Sequence, residues 1–196
     1  MLGDGTYGVP HGKVAVITTH LEMHARAPTK DAPLPEGITF RRVTPDLAWY
    51  RDVFTRVGVP DWMWFGRLTL DDAALEALFC DPAVQFYTLA KDGTDEALLE
   101  LDFRKEGECE LAYFGLTPAL IGTGAGRYLM DRAIDLAWQG DITRFHLHTC
   151  TNDSPQALDF YVRSGFTAYK REVDIEDDPR LTGVLPKDAA PHIPII

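Results

Sequence analysis

Hydrophobic and polar positions along this 196-residue chain switch repeatedly between period two and helical spacing. Residues 13–19 (KVAVITT) form a short β-branched run that reads as a strand, preceded by a glycine-rich arm. Residues 27–37 carry three prolines and read as a linker. Residues 38–43 alternate as a strand, and residues 47–57 predict a helix with Thr44 or Asp46 as its cap. Residues 58–66 (GVPDWMWFG) read as an aromatic loop, and residues 69–79 as a second helix opened by a Thr69-x-x-Asp72 capping box. Three strand-like runs follow, 84–90, 96–104 and 108–116, separated by Lys91-Asp92-Gly93 and Lys105-Glu106-Gly107 as an antiparallel meander would be. Then come a helix (124–138, with Leu129, Ala133, Leu136 and Ala137 on one face), a strand (144–150), a helix (154–163) and a last strand (166–175). From residue 38 the order β-α-α-β-β-β-α-β-α-β predicts an α/β (α+β) fold: a mixed, mostly antiparallel central sheet flanked by helices. Three parts are expected. Residues 1–37 are an arm with an extra strand and linker, 38–175 the domain proper, and 176–196 a surface tail.

Composition narrows the function classes. Lys and Arg number 19 against 30 Asp and Glu, a net charge of −11, which argues against gripping nucleic acid or an anionic membrane. A 45% hydrophobic share is enough to build a packed core. Cys80, Cys109 and Cys150 are odd in number, far apart and without a CxxC pair, so thiols in a reducing compartment are expected rather than a disulfide framework or zinc ribbon. No basic start followed by an apolar run opens the chain, and a cytoplasmic location is the expectation.

The segment richest in chemistry is Leu116-Thr117-Pro118-Ala119-Leu120-Ile121-Gly122-Thr123-Gly124-Ala125-Gly126-Arg127. Three alternating glycines between a strand and a helix let a ligand approach the main chain. The helix start adds unpaired N–H groups and a positive dipole end, so a diphosphate could be cradled without a basic side chain. A Walker loop would need Gly-Lys-Ser/Thr where the chain has Gly126-Arg127-Tyr128, and a dinucleotide fingerprint would need GxGxxG in a parallel βαβ unit. A glycine turn serving only close helix–sheet packing is the remaining reading of the segment alone.

The turn resembles the central Arg/Gln-x-x-Gly-x-Gly/Ala motif of the GNAT superfamily of acyl-CoA-dependent N-acyltransferases. Gly124 and Gly126 take the two small positions, and Leu116-Thr117-Pro118 looks like the Val-x-Pro that ends the preceding strand. Downstream, residues 157–166 (ALDFYVRSGF) look like the family's Ala-x-x-x-Tyr-x-x-x-Gly-Phe. Two motifs in order are more specific than either, and the resemblance covers about residues 84–175. One departure is Ile121, which stands where the family has Arg or Gln and removes one polar contact to the diphosphate. Arg127 is the nearest residue that could replace it.

The resemblance implies an N-acetyltransferase that moves an acetyl group from acetyl-CoA to a primary amine by direct transfer, with no metal. It implies contacts to acetyl-CoA from the backbone of Phe114, Gly115 and Leu116, from Gly122, Thr123, Gly124, Ala125, Gly126 and Arg127, and from Ser154, with Asn152 nearby. Tyr161 sits where family members present a phenol to the CoA sulfur, and Glu110 where histone-acetylating members carry a catalytic base; Glu100 is the alternative base. Period two puts Glu110, Ala112, Phe114 and Leu116 on one face. Against these stand plainer readings: a core tyrosine, a solvent-facing strand glutamate, and Ser154-Pro155 as N-cap and N1. A non-catalytic acyl-CoA-binding module is the alternative to an enzyme.

Trp49, Tyr50, Trp62, Trp64 and Phe65 could wall a small-molecule or peptide amine, pack as core, or join two copies in a homodimer. His146 and His148 lack a third ligand nearby for a metal. Asp174, Glu176, Asp177 and Asp178 lack the glycine of a calcium loop, and no GxSxG occurs.

Overall fold

A computed structural model describes residues 3–196. The run that starts at Lys13 does not stop at Thr19: β1 (Lys13–Met23) is an eleven-residue strand. It is followed by β2 (Ile38–Val43), α1 (Leu47–Trp62), α2 (Asp72–Cys80), β3 (Val84–Lys91), the two-residue β4 (Thr94–Asp95), β5 (Ala97–Asp102) and β6 (Glu108–Leu116). Then come α3 (Ala125–Ala137), β7 (Arg144–Cys150), α4 (Ala157–Arg163) and β8 (Thr167–Asp177). The sheet runs β2-β3-β5-β6-β7-β1-β8, with β4 paired to β3, and every pairing is antiparallel except β6 with β7. The sequence-predicted α/β (α+β) class, a mixed and mostly antiparallel sheet flanked by helices, is the observed one.

Pairing decides where β1 lies. It fills the gap between β7 and β8, with Thr18 opposite Cys150 on one side and Glu172 on the other. An N-terminal strand therefore completes the sheet between two C-terminal ones. Hydrophobic alternation covers the sheet from both faces. Leu21, Cys109, Leu111, Phe145 and Phe166 bury against α3 and α4, whereas Phe86 and Leu98 bury with Tyr50, Phe54 and Leu75 against α1 and α2.

Several local expectations change. Helix α1 runs five residues past Val57, through Gly58 and Pro60, and ends where Met63 takes the left-handed conformation (φ 55°). Trp64 explains the extension: it folds back so that a Cβ on Gly58 would lie 2.1 Å from its indole, and one on Gly115 2.9 Å. Only the two glycines leave room for that ring. Asp46, not Thr44, caps α1 by accepting from Trp49 N. The cap of α2 is Asp71, which accepts from Ala74 N, while Thr69 lies in a preceding 3-10 turn, so the expected capping box does not form. Helix α4 starts at Ala157 after Gln156, and Ser154 and Pro155 precede it rather than serving as N-cap and N1.

The segment after β8, read from the sequence as a surface tail, turns inward. Asp178 and Arg180, each about 2% exposed, pair at 2.7 Å, and the Arg180 guanidinium donates to the carbonyls of Ala189, Ala190 and Ile193. That pair holds Leu185, Ala189 and Ala190 against Val59 and Met63 at the end of α1. The chain end thereby buttresses the aromatic segment that follows α1.

Candidate active site

Strands β6 and β7 pair for only three residues, from Glu108↔Arg144 to Glu110↔His146, and then separate. Beyond that point β6 continues for six residues with no strand on its β7 side, which opens a cleft of about 490 Å³. Residues Leu111 to Leu116 form one wall; Cys150, Asn152 and Asp153 with Ala157, Phe160 and Tyr161 form another. Met63, Trp64 and Phe65 close one end, with Val14, Val16, Asp174 and Glu176 from β1 and β8.

The strand edge is polar. Thr117 N donates to Glu96 O, towards β5. Amides alternate sides along a strand, so the N–H groups of Phe114 and Leu116 point into the cleft while that of Gly115 points to β5. Of the three residues expected to meet acetyl-CoA here, two offer donors and the third, Gly115, offers the lack of a side chain that seats Trp64.

The other polar end is the glycine turn. Gly122 (φ 80°) and Gly124 (φ 91°) both adopt left-handed backbone, and Gly124 is the N-cap of α3. A side chain on either would meet open space, whereas one on Gly126 would touch Leu116 at 3.0 Å, so that glycine serves close packing as well. Thr123 Oγ1 donates to Leu120 O and accepts from Ala125 N, which fixes the turn. Among the described residues the amides of Gly122, Gly124 and Gly126 form no bond to the chain. Ile121 and Gly126 border the cleft, and Ile121 is 61% exposed. Arg127 is half-buried on the first turn of α3 and does not border it.

Tyr161 reaches the cleft from α4, its ring edge-on to Phe114 at 6.3 Å and to Phe166 at 6.2 Å. Burial, reinforced by the Asp153 carboxylate, raises its phenol above the usual range, so it stays protonated near neutral pH. Asp153 itself ties the loop after β7 together: it accepts from Cys150 N, Thr149 Oγ1 and, at 3.4 Å, Trp64 Nε1. Ser154 and Asn152 both line the cleft, and Asn152 Nδ2 lies 3.7 Å from Met63 Sδ. The Cys150 thiol is pushed up to about 11 by burial and Asp153, and a protonated thiol is a poor acyl acceptor.

The two candidate bases fare differently from expectation. Glu100 pairs with Tyr113 but Leu101 with Leu111, so Ala112 is an extra residue, a β-bulge. The bulge reverses the alternation: Phe114 and Leu116 lie with Cys109 and Leu111 on the α3 side, while Glu110 shares the opposite face with Tyr113. Glu110 therefore does not border the cleft with Phe114 and Leu116. It lines an adjoining depression of about 290 Å³. Glu100 is fully buried under α1, accepting from Tyr50 Oη and from Arg67 Nη2, both at 2.5 Å. Burial holds its carboxyl above the ordinary value although Arg67 and Tyr50 pull it down. Its oxygens meet Tyr50 of α1 and Arg67, and it does not border the cleft. The sequence offered no signal for Arg67, for Asp153 or for the contribution of β1.

No group of three or more His, Cys, Asp or Glu side chains among the described residues is placed to hold a metal ion. No helix there is long and apolar enough to cross a membrane.

No curated protein matches the chain. Among solved structures it resembles a conserved protein of unknown function from Staphylococcus epidermidis, with TM-score 0.60 at 14% identity over 85% of this chain and 64% of that one. A GCN5-related N-acetyltransferase from Sphaerobacter thermophilus gives TM-score 0.57 at 15% identity over 88% and 53%. The ribosomal-protein-S18-alanine N-acetyltransferase from Escherichia coli gives 0.54 at 14% over 72% and 94%. The chain thus spans less than two thirds of the first two structures, and at these identities the likeness is one of fold. A model of the acetyltransferase (GNAT) family matches residues 49–166, more than half of the chain and the span that holds both the glycine turn and Tyr161. With the separated parallel strands and the amide-lined turn, that match makes the chain a member of the GNAT acetyltransferase family.

Proposed function

We propose that the protein is an N-acetyltransferase that transfers the acetyl group of acetyl-CoA directly to a primary amine through a tetrahedral intermediate. The observation that carries this is the wedge between β6 and β7. One cleft offers strand-edge amides at Phe114 and Leu116, the unpaired amide of Gly126 at the edge of the glycine turn, and a protonated phenol at Tyr161. In this reading Gly122, Gly124 and Gly126 hold the diphosphate with Thr123 and Ala125 setting the turn, and Ser154 lies along the ligand. The α3 dipole supports the negative charge. The cleft-facing amides take the pantetheine arm and the oxyanion, and Tyr161 protonates the leaving sulfur. Direct transfer is favoured because Cys150, the thiol in the cleft, is held protonated. A reducing cytoplasm suits the three free cysteines. The acceptor enters from the Trp64–Phe65 end as a small-molecule or peptide amine.

Thiol release from acetyl-CoA, followed with a panel of primary amines, tests the reading. Binding by calorimetry without thiol release would select instead a non-catalytic acyl-CoA-binding module, the alternative favoured by exposed Ile121 at the Arg/Gln position of the motif that the turn resembles. Gly124→Val tests the cradle separately. At φ 91° a side chain costs about 1–2 kcal/mol of strain. Turning the amides away to relieve it is expected to weaken acetyl-CoA binding about tenfold. Crowding is not the cause, since the Cβ would sit in open space. Undiminished affinity in a folded variant would place the diphosphate elsewhere.

A further inference from the structure

The bulge at Ala112 turns Glu110 away from the main cleft, and one side chain borders both the cleft and the depression beside it. His148 is two residues past the last β6–β7 pair, on the same sheet face as His146 and Glu110. It is the one residue shared by the main cleft and the depression that contains Glu110. Its Nδ1 lies 3.8 Å from Glu110 Oε1, and its Nε2 has no partner among the described residues. From β1, His20 faces it with ring centroids 6.0 Å apart, and His20 in turn contacts Glu172 of β8 at 2.8 Å. On β7 itself, His146 is matched to Glu108 at 3.3 Å. Each imidazole on this face therefore has a glutamate beside it, and the His148–Glu110 couple is the one that opens onto the cleft.

We propose that His148 is the base that takes the proton from the incoming ammonium, and that Glu110 is its positioning residue. This rests on the acyl-transfer reading. His148 Nε2 takes one proton from R–NH3+, and the freed lone pair forms the N–C bond to the thioester carbonyl. Collapse of the adduct breaks the C–S bond. The sulfur takes the Tyr161 proton, and the second nitrogen proton restores the phenol. One proton remains on the imidazole, beside the Glu110 carboxylate, and leaves to water from a side chain that is 54% exposed. The same exposure means that His148→Gln removes no core contact.

The test follows thiol release from acetyl-CoA with tyramine, spermidine and an alanine-terminated tripeptide across the pH range, with acetyl-CoA affinity measured by calorimetry. His148→Gln should lower kcat/KM roughly 100-fold at neutral pH, with the deficit shrinking at high pH as free amine replaces ammonium and the base is no longer needed, leaving acetyl-CoA affinity intact. Glu110→Gln should lower kcat with little change in KM for the amine, because the imidazole loses the carboxylate that orients it, and Glu110→Asp should partly restore the rate. A His148→Gln enzyme with the parent rate and profile overturns the base assignment while the acyl-transfer reading stands. A Glu110→Gln enzyme with the parent kcat overturns the couple. A parent protein that binds acetyl-CoA yet releases thiol with none of these amines counts against the acyl-transfer reading itself, and the base falls with it.

Discussion

Arg67→Met is expected to cost about 3–5 kcal/mol of folding stability, because it strands the Glu100 carboxylate in a site with no solvent. Arg67 Nη2 and Tyr50 Oη are the donors to that carboxylate, and the variant keeps only the phenol. The loss should depend on pH with a definite sign. The folded Glu100 carboxyl already sits above its ordinary value because burial outweighs its partners, and removing Arg67 takes away the largest opposing influence. A folded carboxyl that holds its proton more tightly than the unfolded one loses stability as pH rises from the ordinary carboxylate range through its folded value. Urea unfolding of parent and variant should therefore show a deficit that is smaller at pH 5 than at pH 8. Equal deficits at the two pH values, or a deficit under about 1 kcal/mol, would mean that the network is not held together by this charge.

Tyr161→Phe should lower kcat by roughly 10²–10⁴-fold while leaving acetyl-CoA affinity nearly unchanged. The substitution keeps the ring that packs on Phe114, Phe160 and Phe166 and removes only the hydroxyl. Because burial and Asp153 keep the phenol protonated well past neutrality, the parent enzyme should show no alkaline loss of rate from this group below about pH 10. Pre-steady-state thiol release separates the chemical step from product release and is the measurement that matters. Unchanged turnover in the variant would remove Tyr161 as the acid and leave the sulfur to be protonated by water.

The legible parts of this protein share one property: their causes are local. The meander turn at Asp92-Gly93 follows from residues that accept positive φ. The start of α3 follows from glycines that no longer side chain can replace at φ 91°. The amphipathic face of Leu129, Ala133 and Ala137 follows from helical period and is fully buried. Tyr161 could be placed because it has a fixed offset from Gly165 and Phe166 in one helix-to-strand unit.

Glu110 shows the opposite case. Its face depends on whether the alternation along β6 is unbroken, and the break at Ala112 is imposed by the register with β5. No residue in the run Glu110 to Leu116 signals it. For His148 the sequence suggests only a metal ligand, because its glutamate neighbour lies on another strand. The length of α1 is not legible in the sequence for a similar reason. Gly58 and Pro60 are locally poor for a helix, yet Trp64, packed against both Gly58 and Gly115, and the chain end bonded to Pro60 O keep it going.

By itself, then, the sequence determined the class of fold, the order of its elements, the glycine turn that opens α3 and the place of Tyr161 on α4, since each rests on spacing within a few residues. Tertiary structure alone decided that β1 lies between β7 and β8 and that β6 and β7 part after three residues. It also decided that the chain end supports the aromatic wall and that His148, not Glu110, reaches the cleft. Those choices depend on hydrogen-bond register and packing between segments as far apart in sequence as Lys13 and Asp177, where pairing energy rather than local propensity selects among the partners available.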